Sequence, residues 1–222
     1  MPPGPNCGRV ESMKATRGER SGWREEVAER LAARKPELLA GEGCTRAAVA
    51  LVLAPGRGGP SVLFIERASH DGDPWSGDLG FPGGKVEPAD ATPRAAAERE
   101  TREELGLDLA GARFLGRLSD IVGAHLPVLV SCFVYGFDAL PPLQPGAEVR
   151  DAFWVPLATL ADRRRHASAT VRFGGESLVR PAIRLPVADK PVLWGITYRL
   201  VLQLLEIMAD AASGRRKAGG SP

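Results

Sequence analysis

Cysteine and histidine are scarce, with three of each in 222 residues. Cys7, Cys44 and Cys132 stand far apart and form no Cys-x-x-Cys pair, which argues against a disulfide framework and a structural zinc site. His70, His125 and His166 are equally scattered, so a histidine-built metal centre is not expected. An excess of either charge is also lacking. Lys and Arg number 29 and Asp and Glu 27, a formal net charge of +2. Neither nucleic acid nor a membrane surface is therefore an expected partner. No apolar run approaches the ~20 residues of a membrane-spanning helix. The longest, Ala47 to Ala54 and Val128 to Phe137, have the length of strands. The first 21 residues lack the apolar centre of a secretory signal and mix Arg, Lys and Glu with Pro and Gly. They read as a disordered tail, with an organelle transit peptide as the alternative, and a cytoplasmic location is the default.

What is present is an ordinary globular composition, 44% hydrophobic, enough for one domain with appendages. Gly22 to Ala40 carries Trp23, Val27, Leu31, Leu38 and Leu39 at helical spacing, with Pro36 expected to break or kink it. Arg46 to Ala54 and Ser61 to Arg67 read as a hairpin around Pro55-Gly56-Arg57-Gly58-Gly59-Pro60. Thr92 followed by Pro93 is a helix start, and Gly106 a stop, for a helix over Arg94 to Leu105. Arg113 to Val122 and Val128 to Phe137 read as strands, the second apolar on both faces and so central. A short strand over Asp151 to Pro156 and a short helix over Leu157 to Arg164 follow. A hairpin is expected at Thr170 to Phe173 and Ser177 to Leu185, then a helix from Leu193 to Ala209. This order of elements predicts an α/β fold, a mixed sheet with helices packed on it. By position, residues 1–21 are a disordered tail, 22–43 an N-terminal helical segment, 44–210 the main domain and 211–222 a disordered basic tail.

The chemistry concentrates between Gly83 and Leu107. A glycine turn, Gly83-Gly84, precedes a helix in which Glu100, Glu103 and Glu104 share one face. Three like charges so close weaken a helix unless something neutralises them. Either Arg94, Arg99 and Arg102 balance a solvated acidic face, or a hard cation such as Mg²⁺ sits among the oxygens. In the second case the cluster suits phosphoryl chemistry, in which a carboxylate orients or deprotonates water.

The full stretch resembles the Nudix box, G-x5-E-x7-R-E-U-x-E-E-x-G-U, where U is a bulky apolar residue. Arg99-Glu100, Glu103-Glu104 and Gly106-Leu107 fall on its positions, and Phe81-Pro82-Gly83-Gly84 precedes them as in relatives. Three departures stand out. Asp90 replaces the first Glu, one extra residue lies between it and Arg99, and Thr101 replaces the apolar residue after Glu100. The extra residue, with Gly-Gly-Lys-x-x-Pro-x-Asp, resembles the coenzyme A pyrophosphatase branch of the family. The Gly-Gln-Val usual in that branch is replaced here by Asp73-Pro74-Trp75-Ser76-Gly77-Asp78-Leu79.

The resemblance implies a Nudix fold, a mixed sheet sandwiched between helices, and hydrolysis of a nucleoside diphosphate linked to another moiety. It implies Mg²⁺, or Mn²⁺ in its place, held by Glu100, Glu103, Glu104 and a backbone carbonyl of Gly83 or Gly84. Glu100 or Glu103 would act with the attacking water, and Arg99 would orient them. Arg67, Gly83 and Gly84 would meet the substrate, and Glu148 lies where relatives supply a further loop glutamate. The implied partner is a small nucleotide diphosphate, and relatives are often homodimers. A non-hydrolytic regulatory module on the same fold is the alternative function.

Overall fold

The computed structural model describes residues 22–69, 75–124 and 126–217, with side chains as far as Ala209. The N-terminal tail, His70, His125 and Asp71 to Pro74 lie outside these residues. Helix α1 (Gly22–Ala32) leads to β1 (Thr45–Gly56) and β2 (Gly59–Arg67), which form the expected hairpin. Two short strands follow, β3 (Leu79–Gly80) and β4 (Gly83–Lys85), and then α2 (Pro93–Leu105). Next come β5 (Arg113–Arg117), β6 (Ile121–Val122), β7 (Val128–Gly136), β8 (Val149–Pro156) and α3 (Leu157–Ala161). A second, three-stranded sheet contains β9 (His166–Phe173), β10 (Glu176–Ile183) and β11 (Leu193–Trp194), and α4 (Gly195–Lys217) closes the described chain.

The main sheet runs β3-β2-β1-β7-β5, with β4 on β1, β6 on β7 and β8 on β2. It is mixed because β1 and β7 pair in parallel, from Thr45 with Val128 to Leu53 with Gly136. Parallel neighbours need a long crossover, and α2 lies within it. Every residue of β7 is buried, Ser131 included, as a run apolar on both faces predicts. Alternation along β1 feeds two core layers. Leu51 and Leu53 join Val27 and Leu31 of α1, Leu157 and Leu160 of α3, and Leu200, Val201, Leu204 and Ile207 of α4. Ala48, Ala50, Val52 and Ala54 join Ala96, Ala97 and Leu105 of α2. The sheet is thus sandwiched between helices. The α2 layer is lined by alanine on both sides, so the helix rides close to the strands, and this close approach positions the site.

Several expected boundaries shift. Gly83-Gly84 is part of a strand paired with Ala47 to Val49, not a free turn. Helix α1 stops at Ala32, and Leu38 is exposed. Beyond it, Pro36 denies the helix a donor, and Asp120 offers its carboxylate to the Leu39 N–H at 3.0 Å. The single strand expected over Arg113 to Val122 is two, broken at 118–120, where the Ser119 N–H goes to Gln203 and the Asp120 N–H to the Glu37 carbonyl instead of to β7. Helix α3 ends at Ala161, where Asp162 caps a 3-10 turn over Arg163–Arg165. Leu193 and Trp194 pair with β10 before α4 begins, and α4 runs on to Lys217, past the expected Ala209. The second hairpin turns at Gly174-Gly175, both at positive φ (58° and 85°), as a tight two-residue turn requires.

Candidate active site

Local sequence builds α2 before the fold adds anything. Thr92 is extended at φ −151° and its hydroxyl accepts the Ala95 N–H, and Pro93 opens the helix. Gly106 closes it at φ 61°, donating its N–H to the Arg102 carbonyl. Thr101, where an apolar residue was expected, is fully buried, and its hydroxyl donates to the Ala97 carbonyl at 2.7 Å. With its polar atom satisfied inside the helix, Thr101 packs as an apolar residue would.

Seen from α2, the second face is the carboxylate face, and it rests on β4. Glu104, 5% exposed, accepts the Gly83 N–H at 2.8 Å. Gly84 lies under Glu100, where a Cβ would stand 2.6 Å from the Glu100 carboxylate. A Cβ on Gly83 would stand 2.3 Å from the Ala48 carbonyl oxygen, and its φ of 145° favours glycine. Both glycines are therefore dictated by geometry, one by the strand behind and one by the helix in front.

Arg99 is the hub. Its Nε and Nη2 fork onto Asp90 Oδ1 and Oδ2, each at 3.0 Å. Nη1 donates to Glu100 Oε1 and Glu103 Oε2, both at 3.0 Å, and Nη2 reaches the Lys85 carbonyl at 3.2 Å. These partners raise its pKa, Asp90 most of all. Asp90 also accepts the Glu87 N–H at 2.8 Å, and the Arg99 bond holds its carboxyl below the usual range. Asp90, at the position of the first glutamate of the box, thus anchors the arginine. The extra residue in the connection is absorbed without loss of that contact.

Burial and crowding show in the carboxyl groups. Desolvation pushes Glu104 up to about 7, aided by the charges of Glu100 and Glu148. The Gly83 N–H and the charge of Arg67 pull the other way. Glu100 is raised too, first by desolvation, then by Glu103 and Glu148, against the pull of Arg99. Glu148 therefore reaches the same electrostatic site. Its carbonyl accepts the Ala68 N–H at 2.9 Å, at the end of β2 that carries Arg67. Glu103 is the outermost carboxylate, 59% exposed.

Outside the box, aromatic and histidine side chains make contacts of their own. Trp194 donates its Nε1 N–H to Asp78 Oδ1 at 2.8 Å and meets Phe173 edge-on, and Trp75 packs on Phe173. His166 bonds the Leu160 carbonyl at 2.8 Å. Cys132 is buried in the core and Cys44 is half-buried, both as free thiols. No local pattern announces Lys190, which binds Glu66 at 2.7 Å from 124 residues away in the chain and also meets Asp151.

Does this face suit a divalent ion? Among the described residues, no group of three or more His, Cys, Asp or Glu side chains is already gathered tightly enough to hold one. Arg99 keeps Glu100 and Glu103 on its own guanidinium. The donor chemistry nevertheless fits. Glu100, Glu103 and Glu104 supply only oxygen, they share one helix face, and their crowding and burial call for a positive charge.

A NUDIX domain model matches residues 45–173. The chain is 32% identical over 176 residues to the human protein named mitochondrial coenzyme A diphosphatase NUDT8, covering 78% of this chain and 73% of that one. It is 26% identical to Nudix hydrolase 15, mitochondrial, of Arabidopsis thaliana, covering 73% of this chain and 58% of that one. Among solved structures, a MutT/nudix family protein from Enterococcus faecalis shares the fold at a TM-score of 0.51 and 17% identity, covering 89% of this chain and 76% of that one. No helix among the described residues is long and apolar enough to cross a membrane. The organellar names among the relatives do not support the cytoplasmic default. The box residues, their seat on β4 and the match over most of the sheet agree, and the chain belongs to the Nudix family of hydrolases.

Proposed function

We propose that the chain is a Mg²⁺-dependent pyrophosphohydrolase acting on a nucleoside diphosphate linked to another moiety, with coenzyme A the first candidate. The carrying observation is the complete carboxylate face of α2, with Glu104 seated on Gly83 and Glu100 against Gly84. The name of the human relative and the box spacing support coenzyme A. Nudix hydrolases use a divalent metal, and the all-oxygen donor set favours Mg²⁺ over softer ions. Glu100, Glu103 and Glu104, with a backbone carbonyl of Gly84, would hold it. Bound there, it would offset the negative charge of the phosphate oxygens.

The chain's own residues supply the rest. Water adds to one phosphorus, the bridging P–O bond breaks, and two phosphate-bearing products leave. Glu100 or Glu103 takes the proton of that water, and Arg99 fixes the orientation of both. Arg67 binds a phosphate oxygen, and the charge of Glu148 adds to the field at Glu100 and Glu104. A cytoplasmic location and a homodimer stand as proposals from sequence alone.

The test is a Mg²⁺-dependent screen of coenzyme A, ADP-ribose, dinucleoside polyphosphates, NADH and nucleoside triphosphates, with the products identified. Glu103→Gln should lower kcat by ~10²-fold or more with an unchanged melting curve, because that side chain is exposed. Near-normal turnover by this variant would remove Glu103 from the catalytic set.

A further inference from the structure

Glu66 sits one residue before Arg67 but on the opposite face of β2. Phe64 belongs to the core layer of α1, α3 and α4, and Ile65 to the layer of α2, so alternation turns Glu66 away from the carboxylate helix. Its side chain is only 4% exposed. Asp151 is its direct partner on β8, and two carboxylates opposed across paired strands repel. Lys190 stands between them, its Nζ 2.7 Å from Glu66 Oε2 and 2.5 Å from Asp151 Oδ2. It lies 5.3 Å from the centre of the Phe153 ring. It comes from the loop 184–192, where Asp189 takes a positive φ of 60°. The second oxygen of Glu66 is held by Arg150 Nη1 at 3.0 Å.

Arg150 is the residue that the strand register skips. Glu66 pairs with Asp151, and Arg67 pairs with Val149. This is a β-bulge, and a bulge re-aims the side chains beyond it. Val149 consequently packs in the α2 layer. Just past the bulge, Ala68 donates its N–H to the Glu148 carbonyl. The ion cluster therefore grips the bulge from behind, while Arg67 and Glu148 project their charges onto Glu104 from the front.

We infer that Lys190, Glu66 and Arg150 form a positioning device for the active site, fixing the bulge that presents Arg67 and Glu148 to the carboxylate face. The inference rests on the proposed roles of Arg67 and Glu148, and none of its three residues touches substrate. Lys190→Met leaves Glu66 facing Asp151 with only Arg150 to hold it, so the bulge should loosen.

Two measurements on the full chain test this. In amide hydrogen exchange, Lys190→Met should speed exchange at Ala68 and Val149 by ~10-fold or more with α2 unchanged. In steady-state kinetics with Mg²⁺ and coenzyme A or ADP-ribose, it should lower kcat/KM by ~10-fold, mainly through KM, and in an Arg67→Ala background its further effect should fall below ~2-fold. Lys190→Arg should restore both readouts. Unchanged exchange at Ala68 and Val149, or uniform acceleration across the domain, overturns the inference, as do fully additive kinetic effects. Should Lys190→Met fail to fold, Glu66→Gln/Lys190→Met carries the same measurements with the charge imbalance reduced. If Arg67→Ala alone costs nothing in kcat/KM, the phosphate role of Arg67 fails, and the exchange result still decides the role of the cluster.

Discussion

Gly83 and Gly84 are adjacent, yet alanine at each should fail differently. At Gly84 the new methyl meets the Glu100 carboxylate at 2.6 Å, the mobile end of a flexible side chain. The fold can yield by swinging that carboxylate aside, which costs about 1 kcal/mol of stability but displaces a site oxygen. At Gly83 the methyl meets the Ala48 backbone oxygen at 2.3 Å, from a φ of 145°. Nothing flexible yields there, and the loss should be about 3 kcal/mol or more. Urea unfolding with parallel turnover assays checks this: Gly84→Ala should be inactive but nearly as stable as the parent, and Gly83→Ala should be unstable. Equal losses of stability would break the distinction. The need for glycine in this stretch is legible in Phe81-Pro82-Gly83-Gly84. The two different reasons for it are not, because one clash comes from β1 and the other from α2.

At the scale of the element, α2 carries its own instructions. The Thr92 cap, Pro93 and the Gly106 stop are all in the sequence, and the structure places each in that role. Thr92→Ala removes one cap hydrogen bond and should cost about 1 kcal/mol. It should leave kcat near the parent value, because the first turn lies away from Glu100 and Glu103. A thermal melt and a single turnover assay decide it, and a large kcat loss at unchanged stability would contradict the division between cap and site. Helix α1 shows the opposite case. Its expected stretch to Ala40 has helical periodicity, but the segment after Ala32 instead spends its backbone groups on Asp120 and Ser119. Those partners lie some 80 residues away, so no local pattern announces them.

Across the whole molecule, the buried Glu104 ties stability to pH. Its folded pKa of about 7 lies above the ordinary 4.5, so between these values the folded chain binds more protons than the unfolded one. Stability from this group is therefore present below pH 4.5 and is lost as pH rises through 7. The full span corresponds to about 3 kcal/mol. With divalent ions chelated, urea unfolding should show this loss from pH 5 to 8, and Glu104→Gln should flatten it. Adding Mg²⁺ should restore stability at pH 8, since a ligand that binds only the folded state stabilises it. A flat profile in the chelated parent would show that Glu104 is not held protonated.

The sequence by itself determined the box, the caps of α2, the central place of β7 and the first hairpin. Each of these rests on neighbours within a few residues, or on a hydrophobic period that one strand or helix displays alone. The tertiary structure decided what those residues meet. It laid Gly83-Gly84 along β1, paired β1 with β7 in parallel, and brought Glu148 and Arg67 to the carboxylate face. It also set Lys190 between Glu66 and Asp151. Such contacts join residues far apart in the chain, and they form only because the alanine-lined layer lets α2 close onto the sheet while a bulge in β8 turns the strand ends toward it.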